Sequence, residues 1–197
     1  WWDRIQAAYM EPQRRYHSLS HIEYLWQLYQ THATLCHATR PHVFLNAIVF
    51  HDIVYEPESK RNEEESASLF CQFAAEFPSL LSDSEVELVK TMILATIKHQ
   101  LPDASIIILN KDQLDAVALF LDLDLSILSA DQWHAYQTYS KGIRHEYLCF
   151  NDDEYRKGRL AVLKRFSARA SLYFTTQLKD EWNKKAHSNI EREIQIL

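Results

Sequence analysis

The sequence predicts an all-α protein, one helical bundle spanning residues 1–197 as a single domain. Three observations carry that expectation. The chain has only two glycines, Gly142 and Gly158, and five prolines, whereas sheet-rich folds with many tight turns use more of both. Apolar residues recur at helical rather than alternating spacing. The stretch with strand composition, Ile106 to Leu109, has no second strand to pair with.

The elements follow in order. After the break at Pro12, Ser20 and Glu23 have capping-box spacing and open a helix with the stripe Ile22, Leu25, Trp26 and Tyr29. Pro41 suits the first turn of the next helix. Its positions Val43, Phe44, Ala47, Ile48 and Val54 hold helical spacing, with His51 on the face of Ala47 and Ile48. A polar loop runs from Glu56 to Arg61. Asn62 then predicts an N-cap, with Glu63, Glu64 and Glu65 where the helix dipole favours negative charge. Pro78 ends that helix, and Ser84 with Glu87 opens another through Val86, Val89, Ile93 and Ile97. His99 and the break at Pro102 follow. Asn110 caps the next helix, lined by Leu114, Val117, Leu121 and Leu128. Helices at about 131–150 and about 152–176, then a charged one, complete the chain, with no linker or repeat between them.

Composition narrows the function classes. Hydrophobic residues make up 47% and charged residues 24% of the chain, which is ordinary globular usage and excludes disorder. The scarcity of glycine leaves no dinucleotide fingerprint, P-loop or nucleophile elbow. A net charge of −6 argues against a bulk electrostatic grip on nucleic acid or anionic membranes. Cys36, Cys71 and Cys149 lack CxxC spacing, so neither a disulfide framework nor a zinc ribbon is expected. No apolar run reaches the roughly 20 residues of a membrane span, and nothing resembles a signal peptide. The expected compartment is the cytoplasm.

Ten histidines are a rich supply. His17 and His21 are four apart and share a face if their helix extends back. His51 and Asp52 are adjacent, and both side chains reach an ion lying over the groove between them. Asp124, in "FLDLDLS", falls on an apolar stripe, where a carboxylate needs a partner. A metal ion near two imidazoles is the simplest one, with an arginine such as Arg144 as the plain alternative. His21, His51, Asp52 and Asp124 offer two nitrogens and two oxygens and no thiolate. That set suits Mn, Fe, Co, Ni, Mg or an open Zn site rather than a closed structural zinc, and its natural chemistry is phosphate ester hydrolysis.

The ordered segments "RRYHSLSHIEYL", "VFHDIVYEP", "NEEESA", "ATIKH", "FLDLDLSIL", "IRHEY" and "GRLAVLKRF" cover nearly the whole chain. Together they resemble the HD-domain superfamily of metal-dependent phosphohydrolases, more narrowly the bacterial predicted metal-dependent HD phosphohydrolases. The resemblance implies one divalent metal ion held by His21, His51, Asp52 and Asp124, with Asp122 as runner-up to Asp124. It implies a substrate that is a small-molecule phosphate monoester or nucleotide phosphate. Glu63 and Glu64 either orient the attacking water and accept its proton or serve only as helix-terminal charge. His99, His17 and Arg144 are the expected substrate contacts, His17 alternatively a core histidine and Arg144 alternatively the partner of Glu146. Where an acidic residue is expected before Asn62, this chain has Arg61. Lys157, Arg159, Lys164, Arg165 and Arg169 are expected on a solvated surface. A non-catalytic HD domain that senses a nucleotide or metal is the alternative function.

Overall fold

An amphipathic helix hides its apolar stripe only against another element, so a chain of such helices must close on itself. A computed structural model describes residues 1–36, 41–103, 105, 107 and 109–197 and has no strand among them. The helices are α1 (Trp2–Tyr9), α2 (Leu19–His32), α3 (Pro41–Phe50), α4 (Asn62–Glu76), α5 (Asp83–Ala95), α6 (Lys111–Asp124), α7 (Trp133–Glu146), α8 (Asp152–Ser167) and α9 (Thr176–Ile196). Short 3₁₀ turns follow α2 and α6. Helix α5 packs on α3, α4 and α6, while α9 lies against α8 and the turn after α6. Every helix contributes to one contiguous core, which centres on Phe44, Phe50, Phe70, Met92, Leu119 and Phe120. Among the described residues, no helix is long and apolar enough to cross a membrane.

Local signals place the elements well but miss several ends. Asn110 caps α6 in a reciprocal box with Gln113. Helix α5 opens two residues earlier than expected, on a box of Ser82 and Glu85 rather than Ser84 and Glu87. Helix α2 begins at Leu19, after Ser18, so Ser20 is not its cap and His17 precedes the helix. Asn62 is the first residue of α4 rather than its cap. Its amide instead accepts from the Glu56 N–H and donates to the Glu56 carbonyl, pinning the loop before the helix. The helix expected to reach residue 176 ends at Ser167. Of the stretch with strand composition, Ile106 and Ile108 lie outside the described residues, and Ile107 and Leu109 have no regular structure.

One difference matters for the site. His51 and Asp52 are not within a helix: α3 stops at Phe50, and the pair occupies the turn that follows. His99 likewise follows the end of α5, and Asp124 is the last residue of α6. Three helix C-termini therefore meet where the candidate ligands lie. Their dipoles make that corner favourable for positive charge.

Candidate metal centre

His21, in the first turn of α2, His51 and Asp124 converge as a compact, buried set. The Nε2 atoms of His21 and His51 lie 3.4 Å apart, and each lies 3.4 Å from Asp124 Oδ1. Metal–ligand bonds of about 2.1 Å put ligand atoms about 3.0 Å apart at a right angle and about 3.4 Å apart at the tetrahedral angle. The donor triangle therefore fits a single divalent ion without rearrangement. Asp52 joins through His51, its Oδ2 lying 3.0 Å from His51 Nε2.

The tautomer of His51 follows from its other nitrogen. Nδ1–H donates to the Ile48 carbonyl at 2.9 Å, so in the neutral ring the Nε2 lone pair faces Asp124 and His21. Burial opposes charge on His51, yet Asp52 and Asp124 raise its pKa well above the usual value. Burial keeps His21 low, in the neutral form that ligates. Burial also pushes both carboxyls up, but Asp52, beside His51 and His17, and Asp124, bonded by His21, His51 and His99, are held well below the carboxylate range. Both carboxylates are thus held charged beside the imidazoles.

Residues outside the ligand set hold it in place. Arg14, buried and not singled out in the sequence, donates to the carbonyls of Asp52 at 2.6 Å and Ile53 at 2.9 Å, clamping the turn after α3. Arg169 does the same after α5, with bonds to the carbonyls of Lys98 at 2.6 Å and His99 at 2.7 Å. His99 has φ of 46°, a left-handed conformation uncommon for a side-chain-bearing residue. In that pose its Nε2 lies 2.9 Å from Asp124 Oδ2, leaving Oδ1 for the ion. The first arginine pair of "RRYHSLSHIEYL" was a legible hint to Arg14. Nothing local marks Arg169, which was expected on a solvated surface.

Glu146 supports the other wall. Its carboxylate accepts the backbone N–H groups of Arg15, Tyr16 and His17, the His17 Nδ1–H at 2.7 Å and the Tyr55 hydroxyl at 3.0 Å. Burial would raise its pKa, but His17 and those N–H donors lower it to about 2. Its partner is thus a histidine and a run of backbone, not an arginine. His17 Nε2 consequently faces Asp52 Oδ2 at 3.8 Å.

A cavity of about 410 Å³ opens onto this cluster, reached by His17, Asp52, Glu63, His99 and Asp124. The two glutamates of the "NEE" segment part company here. Glu63 is half-buried at the cavity, where burial, opposed by the helix N-terminal amide and reinforced by Asp52, raises its pKa. Glu64 is exposed and pairs with Arg61 at 3.6 Å. Arg144 lies apart from the centre, bonded to Asp152 at 2.6 Å and the Tyr147 carbonyl at 2.9 Å. Arg159 is buried in a two-point pair with Glu193, both contacts at 2.9 Å. Asp122, the runner-up ligand, points the opposite way and accepts the N–H groups of Phe174 and Thr175. No family model, curated protein or solved structure matches the chain.

Proposed function

We propose that the protein is a metal-dependent phosphohydrolase of the HD type, acting on a phosphate monoester or nucleotide phosphate. One observation carries the reading. The buried acceptors His21 Nε2, His51 Nε2 and Asp124 Oδ1 face one another at 3.4 Å, with the His51 tautomer set by Ile48. Two imidazole nitrogens and a carboxylate oxygen at this spacing are a donor set that could hold a divalent ion. A divalent ion there supplies a Lewis acid for a phosphoryl oxygen and brings the pKa of water toward neutrality.

The chain's own residues do the rest. Asp52 adds a carboxylate on the cavity side, next to His51. Glu63 accepts the proton of the attacking water, a task its raised pKa suits. His17, aimed by Glu146, presents Nε2 to the phosphate, and His99 fixes the Asp124 carboxylate. Elemental analysis of wild type and Asp124→Ala tests the reading. The expected result is about one metal per chain in wild type, lost in the variant together with phosphoester hydrolysis. No metal in either protein after loading with Mn, Fe, Co, Ni or Zn would overturn it. Nucleotide binding without turnover across those metals would favour the sensor instead.

A further inference from the structure

Beyond the cluster's own residues, the cavity lining has a different chemistry. Tyr139, Ile143, Tyr147, Phe150 and Tyr155 belong to it. Glu154, Gly158, Val162 and Phe166 also line the cavity at every fourth position of α8, forming one stripe of wall. Arg159 and Arg165 are the cations of this lining: Glu193 neutralises Arg159 at 2.9 Å while its guanidinium stands over Tyr139, and Arg165 is exposed beside the Phe166 ring. Apart from the exposed Arg165 and Glu154, this lining offers mainly rings and aliphatic carbon.

The chain's two glycines sharpen the point. Gly142 is explained by packing, because a Cβ there would meet Tyr16 Cβ at 3.3 Å. Gly158 is not. It lies inside α8, where glycine is less stable than alanine. No glycine of the chain has positive φ, so the backbone does not require it. A Cβ built on it meets nothing within 4 Å, so no neighbour requires it either. Gly158 is exposed where it lines the cavity, and its missing side chain leaves open space there.

We infer that the organic part of the substrate is a ring-bearing, largely apolar group that lies along α8 over Gly158, and that Gly158 sets the size it admits. The inference rests on the phosphoester reading for the phosphate end, not for the ring. One phosphate faces the donor cluster, and the ring stacks among Tyr147, Phe150 and Tyr155.

Calorimetric titration of the Mn(II)-loaded protein with phenylphosphonate and methylphosphonate tests this without turnover. Phenylphosphonate is expected to bind at least about tenfold tighter, the factor that burying one ring's apolar surface yields. Gly158→Leu brings that ratio close to unity. Gly158→Ala keeps it and raises the melting temperature. Phe150→Ala lowers it from another wall, and decides the matter if Gly158→Leu does not fold. A wild-type ratio near unity, no binding of either phosphonate, or an unchanged ratio in folded Gly158→Leu overturns the inference. Hydrolysis separates the two readings. Ring preference without hydrolysis of 1-naphthyl phosphate removes the hydrolase and leaves the ring site. Equal kcat/KM for 1-naphthyl phosphate and glycerol 2-phosphate does the reverse.

Discussion

On one side of α6, Asp122 receives the backbone N–H groups of Phe174 at 2.8 Å and Thr175 at 2.7 Å. On the other side, Asp124 faces His21, His51 and His99. Residues two apart on a helix diverge by about 200°, so these neighbours in sequence serve different regions. Asp122 is the more buried of the pair, at 0% exposure. Burial raises its pKa to about 6 despite the two amide donors. Asp124 meets the same penalty, yet imidazoles hold it far below the usual range. Depth of burial therefore does not separate the two carboxylates; the groups facing each of them do. Asp122 staples the segment before α9 to the core, and Asp124 opens onto the cavity.

Substituting each in turn tests that division most sharply. Asp124→Ala is expected to abolish metal retention and to lower phosphoester hydrolysis by more than about 100-fold, beyond the loss that an outer residue brings. Asp122→Ala is expected to keep the metal in folded protein. It should lose about 1–3 kcal/mol in urea denaturation, because two half-buried N–H groups lose their acceptor. A reversal of these phenotypes would break the comparison.

Glu146 extends the comparison to a carboxylate that is buried, charged and structural. Its folded pKa of about 2 lies below the unfolded value of 4.5, so its contribution is present above pH 4.5 and is lost as pH falls through 2. Glu146→Gln should remove about 2–3 kcal/mol at neutral pH and flatten that acid limb. Denaturation of the metal-free protein from neutral pH down through the acid limb measures both. A parallel pair of curves would assign the acid limb to other groups.

Smaller effects refine the Asp124 side. His99→Ala removes the partner of Oδ2 and leaves Oδ1 in place, so metal affinity should weaken by about 10–100-fold without loss of the site. Competition with a chelating dye reads this directly. At the bottom of the scale, Glu64→Gln should leave rate and stability within about 0.5 kcal/mol, as an exposed side chain does, whereas Glu63→Gln should lower kcat. Equal losses from both would return the two glutamates to a shared electrostatic role at the α4 terminus.

Periodicity, capping residues and the shortage of glycine were enough for the helical class, because each acts within a few residues of itself. They also made the ligand types legible, since imidazole and carboxylate on apolar stripes stand out wherever they fall. Phase arguments failed where a helix ended: His51 and Asp52 were placed on α3 but lie beyond it, in a turn held by Arg14. Of the two aspartates, Asp124 is the one brought beside His21 and His51, while Asp122, the runner-up, is fully buried against the Phe174 and Thr175 amides. Tertiary packing alone separated Glu63 from Glu64, drew Arg144 away to Asp152, and turned Glu146 toward His17. It also gave Arg169 a backbone turn to hold and left Gly158 bordering an open cavity. Each of those outcomes depends on groups dozens of residues distant in the chain, and a helix's own periodicity carries no record of what will be packed against it.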